Sequence, residues 1–194
     1  ENGKLVVRTT DNMKKLLAIA CLLIIGIFGI TLYSKHDREK TQEESINLTD
    51  NMTLISNKEC NDFYISSEIT NAIYNHVTNL NLDGEEDEAV INVNWYDAIT
   101  FCNELSLQNE LDPAYILKND HIYFDKKANG YRLPTVKEWE CAKSNEEEID
   151  NLEWTYDYDD ENEIYKVVKG GIEESNMLPS ESSDNVTFRI VKNA

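Results

Sequence analysis

An α+β domain of short strands, two or three helices and much loop, set behind an N-terminal transmembrane helix, is the fold class this sequence predicts. Three observations carry it: an uninterrupted apolar run near the start, helical stripes that begin at recognisable caps, and short aromatic or alternating runs toward the end.

The apolar run "LLAIACLLIIGIFGITLY", Leu16 to Tyr33, holds 18 residues without a charge. At a rise of about 1.5 Å per residue it covers about 27 Å, close to the thickness of a hydrocarbon core. It is apolar all round rather than on one face, which sets it apart from a soluble core helix. A cleaved secretory signal would have a shorter apolar region and a small-residue cleavage site. A lipid anchor at Cys21, suggested by "AIAC", would leave only a few apolar residues after Lys15. An uncleaved signal anchor over 13–33 is therefore the expectation, with cleavage and lipidation as the competing readings. Met13 with Lys14 and Lys15 looks like a natural start, so residues 1–12 are read as an upstream extension or expression remnant. Residues 34–52, polar and charged, read as a linker. The folded domain is expected over 53–194, exported to the periplasm or the cell exterior of a bacterium.

Within that domain, "DFYIS" (62–66) is a strand candidate, and Ser67 can cap a helix whose apolar positions are Ile69, Ala72, Ile73, His76, Val77 and Leu80. His76 has no second His or Cys beside it and reads as a core or boundary histidine. The clearest helix starts at Asn94, with Asp97 at its third position and Trp95, Ala98, Ile99, Cys102 and Leu105 in one stripe. Cys102 should therefore be a buried, inert thiol. In "GYRLPTVKEWECAK" (130–143), Pro134 keeps Leu133 extended, Thr135 and Glu138 form a capping box, and Val136, Trp139 and Ala142 share a face. Arg132, between Tyr131 and Leu133, is expected to be partly buried against a carboxylate. "LEWTYD" (152–157) is aromatic and compact, "YKVVKGG" (165–171) a strand, and "VTFRIVK" (186–192) an alternating terminal strand.

The net charge is −19, with acidic runs at Glu85–Glu88, Glu146–Glu148 and Asp157–Glu163. Such a chain repels phosphate backbones, which excludes a nucleic-acid partner. No cofactor is expected. Calcium held loosely by Asp157, Asp159, Asp160 and Glu161, with Glu163 adjoining, is the alternative, although the run lacks the glycine-containing spacing of an EF-hand loop. Cys60, Cys102 and Cys141 suit one disulfide and one buried thiol, in a pairing that spacing leaves open. There is no CxxC and no Cys/His cluster, so a zinc site is not expected.

Taken in order, these pieces resemble the sulfatase-modifying factor family, whose best-known member is the formylglycine-generating enzyme. The resemblance rests on "YISSEITNAIYNHVT" (64–78), "INVNWYDAITFCNELS" (91–106), "GYRLPTVKEWECA" (130–142), and then "LEWTYD", "KGG" and "FRIVK" in family order, spanning 62–192. It implies a loop-rich fold related to the C-type lectin fold. It also implies a peptide-binding groove near Arg132, Glu153, Trp154 and Lys169, although Trp154 could equally lie in the core and Glu153 could pair with Arg132. It does not imply the enzyme. The family's oxidase carries its copper-binding cysteine pair between the Gly-Gly motif and the final Phe-Arg strand. That segment here, "IEESNMLPSESSDNVT" (172–187), has no cysteine, and copper(I) needs soft thiolates. The family's long insertion after the Glu-Trp helix, with its calcium ligands, is reduced to "KSNEEEIDN" (143–151). The iron-binding branch uses clustered histidines, whereas His36, His76 and His121 are scattered. The expected function is thus that of a non-catalytic, membrane-anchored extracytoplasmic interaction module with a protein partner in a cell-envelope assembly. A lectin-like or peptide-binding domain taking a small ligand or glycan is the second reading. A divergent formylglycine-generating oxidase, which would need Cys60 and Cys141 to converge in one site, is the third.

Overall fold

The computed structural model describes residues 48–119, 121–143, 151–170 and 175–194. The expected signal anchor over 13–33, residues 1–12, the linker up to residue 47 and the acidic run Glu146–Glu148 lie outside them. Among the described residues, no helix is long and apolar enough to cross a membrane. The folded part begins earlier than the sequence suggests. Leu48 opens a 3-10 turn, Leu48–Asn51, and its side chain is buried in the main core, so the end of the presumed linker belongs to the domain.

Strands β1 (Thr53–Asn57) and β2 (Asn61–Ile65) form an antiparallel hairpin. Helix α1 (Asn71–Thr78) follows, capped by Thr70 rather than Ser67: the Thr70 hydroxyl accepts from the Ile73 N–H at 3.4 Å. The correction has a backbone cause. The Ile69 N–H donates to the Phe188 carbonyl at 3.1 Å and its own carbonyl accepts from Val90 at 2.8 Å, so Ile69 is held extended and cannot begin a helix. The helix stops at Asn79 in the left-handed region, which leaves Leu80 exposed beyond it.

Helix α2 (Trp95–Gln108) has the predicted start. Asn94 accepts from the Asp97 N–H at 3.0 Å and Asp97 accepts back from the Asn94 N–H at 3.1 Å, a reciprocal capping box. Trp95, Ala98, Ile99, Cys102 and Leu105 are all buried, as the stripe requires. A second antiparallel hairpin, β3 (Tyr115–Lys118) with β4 (His121–Phe124), follows as a separate two-stranded sheet. Gly130 then passes so close to α2 that any side chain there would collide with the Asp112 carbonyl and the Ser106 hydroxyl. The adjacent Tyr131 N–H donates to that same hydroxyl at 2.8 Å. Helix α3 (Val136–Lys143) carries the predicted cap: the Glu138 N–H donates to Thr135 Oγ1 at 3.2 Å and the Thr135 N–H to Glu138 Oε2 at 2.9 Å.

Strands β5 (Leu152–Tyr158), β6 (Lys166–Gly170), β7 (Ser175–Met177) and β8 (Val186–Thr187) make a four-stranded sheet in the order β7-β6-β5-β8, with β8 parallel to β5. The last strand, β9 (Val191–Asn193), leaves that sheet and joins the first hairpin in the order β1-β2-β9. The terminal run expected as one half-buried strand is therefore a connector between two sheets. Val186, Thr187, Phe188, Arg189, Ile190 and Val191 are buried without alternation, because the run has protein on both faces. Between its two strands, the Ile190 carbonyl accepts from the Ser66 N–H at 3.0 Å, and at the start of β9 Arg132 and Val191 exchange backbone bonds of 3.0 and 2.7 Å. The main core gathers α1, α2, β5 and this run, while a smaller cluster of Ile55, Phe63, Ile65, Ala142 and Val191 lies under the first sheet. The Cys60–Cys141 disulfide, closing a separation of 81 residues, staples that smaller cluster to α3.

Trp139 is 3% exposed and fills the space between α3 and β5, so Trp139→Ala should cost about 3–5 kcal/mol. Thr135→Ala should cost about 1 kcal/mol through the lost cap. Urea denaturation of the three proteins checks both, and equal midpoints for wild type and Trp139→Ala would refute the assignment of this helix.

Candidate functional site

The four residues expected to line one groove are divided by the fold. Trp154 is fully buried, its indole N–H donating to the Val93 carbonyl at 3.0 Å. Glu153 is also buried, and its partner is Arg189 rather than Arg132: Glu153 Oε2 accepts from Arg189 Nε at 2.7 Å and from the Trp139 indole at 2.8 Å. The pairing differs from expectation because β5 points Glu153 toward α3 and the terminal run, where Arg189 lies. Burial pushes the Glu153 carboxyl up, to about 7, against the pull of these two donors. Arg132 does meet a carboxylate, that of Glu138, through a two-pronged pair at 2.6 and 2.7 Å, and also donates to Asn193 at 2.9 Å. Burial raises Glu138, but the Arg132 pair and the Thr135 donors outweigh it and hold the carboxyl below its usual range. Only Arg132 and Lys169 of the four reach surface clefts, and the clefts are different.

Arg132 lines a small polar cleft of about 290 Å³ with Glu138, Lys126 and Asp62. Lys169, which donates to Glu140 at 3.1 Å, lines an acidic cleft of about 780 Å³ with Asp157, Asp159, Asp160, Glu161 and Glu163. The calcium candidates Asp157, Asp159, Asp160 and Glu161 all lie in this cleft. Asp157 accepts from the Val136 N–H at 2.6 Å, at the start of α3, and Asp159 accepts from the Glu161 and Asn162 N–H groups at 2.8 Å and from the Asn176 amide. With those carboxylates turned toward the backbone, no group of three or more His, Cys, Asp or Glu side chains among the described residues converges on a metal position.

The third cleft, of about 690 Å³, escaped the sequence reading. It lies between α2 and the β3–β4 hairpin and is walled by Tyr96, Ile99, Leu117, Ile122 and Tyr158. An aromatic layer runs behind it: Tyr115 stacks on Phe124 at 5.5 Å, Phe124 meets Tyr156 at 4.2 Å, and Trp95 packs edge-on to Tyr96 and Tyr115. Lys166, fully buried, ends this layer. Its ammonium lies 3.3 Å from the Tyr158 ring centre, 4.0 Å from Trp95 and 4.9 Å from Tyr156, and it donates to the Tyr156 carbonyl at 2.7 Å. Burial drives its pKa down to about 7, with Asp157 opposing. Tyr158, held over Lys166, is a wall of both the aromatic and the acidic cleft. The sequence signal for this site was present in the single stretch "LEWTYDYDDENEIYK", but which tyrosines face outward depends on the irregular register between Trp154 and Tyr158.

The thiols are accounted for as well. Cys60 and Cys141 do converge, as a disulfide, while Cys102 is free, fully buried, and raised far above the usual thiol range by burial. The segment 172–187, where the resemblance places the oxidase's copper-binding cysteine pair, has no cysteine, and Met177 is its one sulfur-bearing side chain.

The profile of the family described as a sulfatase-modifying factor enzyme 1-like domain matches residues 39–169. A protein of Paenibacillus barcinonensis named chaperone protein LppX is 35% identical over 117 residues, covering 51% of this chain and 42% of the relative. The chain thus spans less than half the length of that relative. Two solved structures share the fold at 18% identity. Treponema denticola variable protein 1 has a TM-score of 0.61 and the match covers 74% of this chain and 92% of that one; for the crystal structure of CarF the values are 0.59, 69% and 87%.

The Lys166 environment predicts a pH dependence. Its folded pKa lies below the ordinary lysine value of 10.5, so between about 7 and 10.5 the unfolded chain binds a proton that the folded chain does not. Stability from this group therefore rises with pH in that window and is lost as pH falls through 7. Urea midpoints at pH 7, 8 and 9 should climb less for Lys166→Met than for wild type; parallel curves would show that Lys166 stays charged throughout.

Proposed function

Because the chain belongs to the family of sulfatase-modifying factor enzyme 1-like domains, we propose that it is a non-catalytic member that binds a protein partner at the cell envelope, tethered by the apolar stretch 16–33. The single observation that carries the non-catalytic reading is the state of the cysteines. An oxidase of this family would need a pair of thiolates exposed to substrate and copper. Here the segment that would hold them has none, one pair is spent on a disulfide, and the remaining described thiol is fully buried among apolar residues. A side chain buried this way cannot ionise cheaply or reach a substrate.

Binding rather than chemistry also suits the rest of the surface. The clefts are walled by tyrosines, aliphatic side chains and acids whose oxygens cap the backbone. Tethering follows from the length and uniform apolarity of the stretch 16–33, which lies outside the described residues. The name of the Paenibacillus barcinonensis relative, a chaperone protein, points to work on another polypeptide and favours a protein partner over a glycan.

Thiol titration and copper(I) competition test this reading on the purified full-length chain. In a Cys21→Ser background, the folded protein should leave Cys102 unreactive toward Ellman's reagent, and denaturation without reductant should release that one thiol while Cys60 and Cys141 stay silent. A copper(I)–bicinchoninate complex should keep its colour in the presence of the protein. Stoichiometric withdrawal of copper, abolished by Cys60→Ser, would make the protein a metal-dependent enzyme instead.

A further inference from the structure

We propose that the groove running from the aromatic cleft across Tyr158 into the acidic cleft seats an extended segment of a partner polypeptide, with an apolar anchor side chain followed by basic residues. The inference rests on the binding reading above and gives its partner a chemistry.

The apolar half is built from side chains with no fold-internal reason to face water. Tyr96, Leu117 and Tyr158 are 45%, 73% and 46% exposed around one cavity. Ile116 and Tyr123, paired across β3 and β4, are about equally exposed on the other face of the same hairpin. Large apolar side chains concentrated in this way mark a contact surface rather than ordinary scatter. A cavity of about 690 Å³ accepts one or two large side chains. Among the described residues β3 and β4 pair only with each other, so each leaves an outer backbone edge on which an extended chain can pair.

Two polar groups of the wall are already engaged by the fold. The Asn103 amide is turned onto the backbone of Tyr115, donating at 2.7 Å and accepting at 3.2 Å, and the Thr100 hydroxyl donates to the Tyr96 carbonyl at 2.8 Å. Both are committed inward; the exposed His121 and the tyrosine hydroxyls are the other polar groups of a lining that is otherwise aliphatic and aromatic. Charge narrows the partner further. Tyr158 leads directly into Asp157, Asp159, Asp160, Glu161 and Glu163, on a chain of net charge −19. That field repels nucleic acid, anionic lipid and a second copy of the same chain, and draws in lysine or arginine.

The test is panning of a random dodecapeptide phage library on the full-length chain in detergent, with Leu117→Ser and Asp160→Lys/Glu163→Lys as comparison baits. All three positions are exposed, and matched melting temperatures would show that the variants fold. Recovered peptides should carry a large apolar residue followed within about five positions by Lys or Arg. Their capture should fall at least tenfold on either variant, and 0.5 M salt should weaken it. Enrichment without basic residues, capture unchanged on Leu117→Ser, or no enrichment over bare support would overturn the proposal. So would concentration-dependent self-association in sedimentation that the Leu117→Ser variant abolishes, since it would assign the groove to a second copy. None of these outcomes touches the thiol and copper results, so this groove can fail while the non-catalytic reading stands.

Discussion

The buried carboxylate of Glu153 is the point at which the two halves of this domain are joined. It is the second residue of strand β5, it accepts from the Trp139 indole on α3, and it pairs with Arg189 in the terminal run. The two donors and the acceptor come from three separate segments of the chain. An arginine with protein on both faces needs a counterion, and a carboxylate at 1% exposure needs donors. A pair of this kind adds little net stability compared with an apolar substitute, since both charges are taken out of water. Its effect is on register, because a one-residue slip in the terminal run would place Phe188 or Ile190 where the guanidinium must be.

That register governs the rest. The terminal run pairs with β5 through β8, with the Ser66–Ile69 stretch through Phe188 and Ile190, and with β2 and Arg132 through β9. It is therefore the common neighbour of both large sheets and of the backbone leading into both α1 and α3. The three tryptophans reinforce the arrangement from β5 outward. Trp95 on α2 donates to the Thr155 carbonyl, Trp139 on α3 to Glu153, and Trp154, itself on β5, to the Val93 carbonyl ahead of α2. With the starts of α2 and α3 tied to one strand, short elements and long loops hold a single geometry despite little regular structure.

Much of this was legible in the sequence, and the reasons differ by element. Caps and stripes are local, so the starts of α2 and α3 and the burial of Cys102 could be read directly from Asn94, Asp97, Thr135, Glu138 and their spacing. The Ser67 cap failed because a non-local constraint, the backbone pairing of Ile69 with Phe188 and Val90, overrode a locally acceptable start. The choice of Arg189 over Arg132 as the partner of Glu153 is non-local for the same reason, and two arginines near acidic neighbours cannot be told apart by spacing. The β3–β4 hairpin was missed because "YILKNDHIYF" lacks the clean alternation of a half-buried strand: its outward positions carry Ile116 and Tyr123, which water would not select.

That last failure bears on function. A sequence that follows folding rules almost everywhere, yet places isoleucine, leucine and tyrosine on the exposed faces of a two-stranded hairpin, has a reason outside its own core. The buried Lys166 belongs to the same economy of design. It satisfies a carbonyl, supports Tyr158 from beneath and keeps that ring upright as the shared wall of two clefts, at the cost of a desolvated amine. Among the described residues, a buried amine, exposed aromatic rings and a run of acids are gathered around Tyr158. The fold supplies the frame, and the departures from ordinary folding preference are concentrated on one side of it, around Tyr158 and the β3–β4 hairpin.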